Sequence, residues 1–211
     1  MPDRIETTVD APVDEVWREL TVPSRIGEWF GWDYDGIDGE IREIFVDQAT
    51  LDPPRRITFE DGSYLELDGA GPGTVVRAVL PEPVDGATEH TYDGMAEGWR
   101  TFFEQLRFLV GTRPTGPRRT IYLTGETEGA ALLDLLPEGP IWHGSRYQRM
   151  AVNPDGHLIG VAAQQPLDSA QPGSASVTVT SYGLEDAAFA ALHGRWTDRW
   201  FALAKNPDVT P

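Results

Sequence analysis

Val9-Asp10-Ala11-Pro12-Val13-Asp14-Glu15-Val16-Trp17-Arg18-Glu19-Leu20 is the stretch in which a strand passes directly into a helix. The residues leading into it, Ile5 to Val9, are rich in β-formers. Pro12 suits the first helical position, where its missing N–H costs nothing, and Asp14 and Glu15 complement the positive helix end. Val13, Val16, Trp17 and Leu20 fall at i, i+3, i+4 and i+7, so the helix has one apolar face to bury. Pro23 ends it, and a short second turn is expected to carry Ile26, Trp29 and Phe30.

Downstream the pattern changes to short β segments at Ile41 to Val46, Arg56 to Glu60, Ser63 to Leu67 and Thr74 to Leu80. They are separated by Asp52-Pro53-Pro54, Asp61-Gly62 and Gly69-Ala70-Gly71-Pro72-Gly73, all turn chemistry. Strands this closely spaced favour an antiparallel meander, since a parallel sheet needs helical crossovers. Met95, Trp99, Phe102, Phe103, Leu106 and Leu109 then mark one face of a long helix. Glu97, Arg100, Glu104 and Arg107 mark its polar face, and Gly111 is a natural stop.

The element order then recurs. Arg119 to Thr124 reads as a strand, Glu128 to Leu136 as a short helix ended by Pro137, and Arg146 to Val152 with His157 to Gln164 as a hairpin over Asn153-Pro154-Asp155-Gly156. Ser176 to Tyr182 is another strand, and Phe189, Leu192, Trp196, Trp200 and Leu203 line a second long helix. The fold class is therefore α+β. Residues 1–111 form a first unit, 112–117 a Gly- and Pro-containing linker, and 118–211 a second unit shorter in its middle. The alternative is one α+β domain with two long helices.

Composition narrows the function. The chain has 211 residues with 34 acidic and 17 basic side chains, a formal charge of −17 that repels phosphate backbones and anionic headgroups, so no nucleic acid and no membrane is expected as partner. Cysteine is absent, which excludes disulfides, thiolate catalysis and zinc–thiolate sites. The N-terminus lacks the apolar core of a signal peptide and no stretch reaches membrane-spanning length, so a cytoplasmic protein is expected.

Three segments in order carry a resemblance: Val9 to Leu20 followed by Trp29-Phe30; Asp52-Pro53-Pro54-Arg55-Arg56-Ile57-Thr58-Phe59; and Glu97-Gly98-Trp99-Arg100-Thr101-Phe102-Phe103-Glu104-Gln105-Leu106. Over residues 3 to 110 the chain resembles the Hsp90-ATPase-activator-like branch of the START-like superfamily; residues 118 to 205 are similar in element order alone. The resemblance implies a helix-grip fold, a curved antiparallel sheet clasping a long C-terminal helix, in two tandem units. It also implies a cavity between sheet and helix. The paired glycines common at the start of the family's long sheet appear here only as Asp38-Gly39.

In such a cavity the resemblance places Trp29, Phe30, Phe45, Phe59, Tyr64, Trp99 and Phe103; with Arg77 these are the eight expected ligand-binding residues, and Tyr64, Arg77, His90 and Tyr92 are the candidate polar groups that would orient a ligand. The same aromatics equally suit plain core filling. His90, His143, His157 and His193 show no metal-ligand spacing, with Trp142 beside His143, and no metal or cofactor is expected. Asp33, Asp35 and Asp38 sit in a Gly-containing loop but lack the glutamate and glycine positions of an EF-hand, so a solvated acidic loop is expected. Glu60-Asp61 and Glu185-Asp186 suit a turn and a helix start. No nucleophile motif, phosphate loop or dinucleotide fingerprint occurs. The expected function is binding of a small hydrophobic or aromatic molecule. The alternatives are a regulator docking on a protein partner with a basic face, as the family name implies for some relatives, and a cyclase- or dehydratase-like enzyme.

Overall fold

A computed structural model describes residues 5–81 and 92–210 of the chain. These hold six α-helices, one π-helical turn and two antiparallel sheets, an α+β architecture. The chain divides into two compact units, one of residues 1–31 and 36–113, the other of residues 32–35 and 114–211.

In the first unit β1 (Ile5–Val9) turns Ile5, Thr7 and Val9 inward. Pro12 holds extended backbone before α1 (Val13–Thr21), and Val22 separates α1 from α2 (Pro23–Ile26), which Pro23 opens. Val16 and Leu20 of α1 are fully buried, Val13 and Trp17 half-buried. Next come α3 (Ile37–Arg42) and the π-helical turn Glu43–Asp47. The segment expected as a strand over Ile41 to Val46 is therefore helical. Its β-branched composition is overridden by spacing, because Ile41 and Phe45 lie four apart and both are buried.

Strands β2 (Thr50–Asp52), β3 (Arg56–Thr58), β4 (Tyr64–Ala70) and β5 (Gly73–Val79) complete a meander, and β1 closes on β5 to give the order β1-β5-β4-β3-β2. Gly62, at φ +83°, makes the β3–β4 turn. Helix α4 (Gly94–Thr112) packs on β1. Asp93 caps it, its Oδ1 accepting from the amides of Met95 and Ala96 at 3.0 and 3.1 Å. The helix passes Gly111 and stops at Thr112, with Arg113 in the left-handed conformation.

The two faces expected for α4 differ in the structure. Met95, placed on the apolar face, is 53% exposed, whereas Glu97, Arg100 and Glu104, placed on the polar face, are buried. Each buried acid meets a base one turn on: Arg100 Nη1 donates to Glu97 at 2.8 Å, and Arg107 Nη2 lies 2.6 Å from Glu104. Thr7 Oγ1 donates to the other Glu104 oxygen at 3.0 Å. Local pairing and a strand hydroxyl offset the desolvation that would otherwise keep these groups outside.

The second unit is built on β6 (Arg118–Glu128) and β10 (Pro172–Tyr182), paired along their whole length from Arg118↔Tyr182 to Glu128↔Pro172. After α5 (Gly129–Leu133) follow β7 (Ile141–Gly144), β8 (Gln148–Val152) and β9 (Leu158–Ala163). Helix α6 (Asp186–Leu203) leads into β11 (Lys205–Val209), which returns to β6, giving the order β11-β6-β10-β9-β8-β7. Ile121, Leu123, Ile159, Val161, Val177 and Val179 form a buried core with Leu192, Trp196 and Trp200 of α6. Trp200, fully buried, donates its indole N–H to the Thr124 carbonyl at 2.8 Å.

Residues 32–35, from the first half of the chain, group with this unit. Trp32 stacks on Tyr122 at 3.8 Å between centroids and 8° between planes. The Asp33 amide donates to Thr120 Oγ1 at 2.6 Å, and the Thr120 amide donates back to Asp33 Oδ2 at 2.7 Å. Asp33, Asp35 and Asp38 are all exposed, as expected of a solvated acidic segment, and Asp33 in addition bonds Thr120.

Gly116 and Gly183, at φ +84° and +65°, allow two backbone segments of this unit to touch; a Cβ on Gly183 would lie 2.5 Å from the Thr115 carbonyl oxygen. Gly183→Ala is expected to destabilise the protein by about 2 kcal/mol or more in urea unfolding. Gly62→Ala, with the same backbone demand but nothing within 4 Å, is expected to cost only about 1 kcal/mol. A second expectation concerns pH. His157 is buried, which lowers its pKa below 6.5, Asp155 opposing this and Arg195 adding to it. Folding therefore favours neutral His157, and its stabilising effect, present above pH 6.5, is lost as pH falls through the folded value. His157→Gln should flatten the thermal-stability profile on the acid side of 6.5, and an unchanged slope would show that other groups set it.

Candidate functional site

Four elements of the first unit bring seven aromatic rings together. The turn after α2 folds back on it, with Trp29 and Phe30 amides bonded to the Ile26 carbonyl at 3.1 and 2.8 Å, which aims both side chains into the core. The π-helical turn supplies Phe45, closed by a bond from the Gln48 amide to the Glu43 carbonyl at 2.9 Å. Phe59 follows β3, its amide bonded to the Ser63 carbonyl at 2.9 Å, and α4 supplies Trp99, Phe102 and Phe103.

Phe45 is the hub. Its ring meets Trp29, Phe30, Phe59 and Trp99 at 6.2, 5.1, 5.7 and 6.5 Å, each edge to face. Trp29, Phe30, Phe45 and Phe103 are buried. Phe59, Trp99 and Phe102 are only half-buried. Phe59 and Trp99 stack at 5.8 Å and 27°, and Phe102 adjoins Phe30 and Trp99 at 4.6 and 6.0 Å. The cluster thus has a closed end and a partly open one. Of the eight expected ligand-binding residues, Trp29, Phe30, Phe45, Phe59, Trp99 and Phe103 lie together here. Phe102 belongs with them, and its place on the same helix face as Trp99 and Phe103 is the signal for it.

Tyr64 and Arg77 lie apart, on the other face of the sheet, because β4 alternates and sends Leu65 and Leu67 into the core. The register Glu6↔Arg77↔Glu66↔Arg56 sets four charges of alternating sign across β1, β5, β4 and β3. Arg77 reaches Glu6 at 3.0 Å, Glu66 at 3.2 Å and Asp68 at 3.5 Å; Arg56 reaches Glu66 at 2.7 Å and stacks on Tyr64 at 4.2 Å. Arg56 holds the Glu66 carboxyl below the ordinary carboxylate value, and Glu6 raises Arg77. Beside this ladder is a groove of about 670 Å³ whose lining includes Val13, Pro54, Arg55, Arg56, Glu66 and Asp68. Arg56, Glu66 and Asp68 of its lining are committed to the ladder, whose exposed pairs stabilise little.

The remaining candidates are dispersed. His143 is on β7, His157 precedes β9, and His193 is on α6 with Nδ1 3.4 Å from Thr197 Oγ1. His90 lies outside the described residues, and Tyr92 lies two residues before α4. Among the described residues no group of three or more His, Asp or Glu is placed to hold a metal ion, and no helix is long and apolar enough to cross a membrane. Asp61 accepts from the Ser63 amide and hydroxyl in its turn, and Asp186 meets Arg119 at 2.8 Å at the start of α6.

No family model matches the chain, and no curated protein matches it. Among solved structures it is similar to the crystal structure of DynU16, a protein of the dynemicin biosynthetic locus, at 19% identity and a TM-score of 0.34, with 92% of each chain covered. A likeness of that degree assigns neither family nor function.

Proposed function

We propose that both units are helix grips of the START-like kind, the first of the Hsp90-ATPase-activator-like branch, and that the first binds a small hydrophobic or aromatic molecule against its aromatic cluster, between sheet and α4. The observation that carries this reading is the half-buried Phe59–Trp99 stack at the edge of an otherwise buried group of rings. Three half-buried rings side by side present continuous apolar surface, and a flat apolar ligand would cover Phe59, Trp99 and Phe102 together. The Trp99 indole N–H makes no hydrogen bond among the described residues, which leaves a donor for an acceptor atom on the ligand. The second unit is a structural grip: Trp196 and Trp200 are buried, and the Trp200 N–H is already taken by Thr124.

Native mass spectrometry with solvent extraction of the purified chain is expected to recover an apolar small molecule. Trp99→Ala should weaken its binding by roughly tenfold, the scale of one lost aromatic contact plus its buried area, with little loss of stability. Phe103→Ala, which empties a fully enclosed site, should instead destabilise folding by about 3–5 kcal/mol. Wild-type affinity in Trp99→Ala would reject the cluster as the binding site.

A further inference from the structure

Glu19 is a buried acid on α1 whose main-chain carbonyl holds one ring of the cluster. The residue is 8% exposed. Its Oε1 accepts from Arg25 Nη1 on α2 at 3.4 Å, a long contact to a side chain 61% exposed, and its Oε2 is buried with no hydrogen-bond partner. A carboxylate oxygen stripped of water without replacement favours the neutral acid. The main chain of the same residue reaches the cluster: Trp29 Nε1 donates to the Glu19 carbonyl at 2.9 Å, and Trp29 packs edge to face on Phe30 and Phe45. One residue therefore ties the α1–α2 corner with its side chain and the closed end of the cluster with its carbonyl.

We propose that Glu19 is a positioning residue of the aromatic site, seating Trp29 most firmly when its carboxyl is protonated, so that ligand retention weakens as the acid ionises. This rests on the ligand-binding reading above. The ionisable groups facing Glu19 are Glu15 and Arg18 on α1, Arg25 on α2 and Glu28 in the turn beyond. Strands β4 and β5 also pack on α1, but they send Leu65, Leu67, Val76 and Ala78 inward and carry Glu66, Asp68 and Arg77 on the opposite face. Burial is the largest influence on Glu19 and raises its pKa above the ordinary 4.5; Arg25, next in weight, opposes it. Folding thus binds the proton more tightly than the unfolded chain does. The stability this adds is complete below pH 4.5 and is lost as pH rises through the folded value.

The test follows the Glu19 carboxyl carbon and the Trp29 indole N–H by NMR on the full-length chain while pH is raised from acid to neutral. Both are expected to titrate with one midpoint above the ordinary glutamate range, and in Glu19→Gln, which keeps the carbonyl and a neutral side chain, the Trp29 signal should not move. N-phenyl-1-naphthylamine, an uncharged aromatic probe, should bind wild type on the order of fivefold more weakly at neutral than at acid pH, and Glu19→Gln equally at both. A Glu19 midpoint in the ordinary range, a Trp29 signal that ignores it, or a wild-type pH profile in Glu19→Gln would overturn the proposal. Failure of the probe to bind at any pH counts against the ligand site instead, and the Trp29 titration then decides the role of Glu19 by itself.

Discussion

The first unit depends on the position of one ring. Phe45 contacts rings contributed by the α2 turn, by the end of β3 and by α4, so four segments distant in sequence meet at one side chain. Edge-to-face contacts of this kind contribute about 0.5–1.5 kcal/mol each beyond the area they bury. The π-helical turn at Glu43–Asp47 follows α3 directly, and Phe45, four residues after Ile41, continues the buried line that Ile41 begins. The short strands that follow have little area of their own, β2 and β3 being three residues each. Strand β3 is attached by its pairing to β4 and by its one fully buried side chain, Ile57, and β2 by its pairing to β3.

A second constraint acts on α4. This helix has to satisfy a rich apolar cluster on one side and bury Glu97, Arg100 and Glu104 on the other, and it does so by pairing each acid with a base in the next turn. Thr7 ties Glu104 to β1, so the helix is registered against the sheet by a directed bond and not by apolar contact alone. Trp99 and Phe102 can be left half-buried because the neighbouring Phe103 and Leu106 hold the helix in place.

How far the sequence could be read follows from which signals are local. The β1–α1 handover, α4 and α6 are legible because periodicity, proline placement and caps agree over whole turns. The Ile41 to Val46 segment is not, since Ile, Phe and Val favour strands by composition while their four-residue spacing favours a helix, and burial decides between them. The buried acids of α4 escape any pattern rule, for only tertiary packing shows that a polar face is covered. Strand β11 escapes as well, because Lys205-Asn206-Pro207-Asp208 is poor in strand formers and is held there by the edge of β6. Six of the eight expected binding residues meet because they lie on elements that must enclose a core, whereas Tyr64 and Arg77 fall to the other face by strand alternation, a matter of one residue in register.

The two long helices put similar tryptophans to different use. On α6, Trp200 is sealed and its N–H is spent on a β6 carbonyl, while the Arg199 guanidinium lies over Trp196 at 4.6 Å. Both rings are occupied by their own unit. On α4, Trp99 has aromatic neighbours on Phe45, Phe59, Phe102 and Phe103 but keeps part of its surface and its polar atom unassigned. Trp99 shares this partial exposure with Phe59 and Phe102, so the three rings form the open edge of a cluster whose other members, Trp29, Phe30, Phe45 and Phe103, are buried. The asymmetry between Trp99 and Trp200 is one of packing: a long helix closes over its tryptophan where a backbone carbonyl is in reach of the indole, as Thr124 is for Trp200, and leaves the ring at the edge of the core where aromatic neighbours alone hold it, as around Trp99.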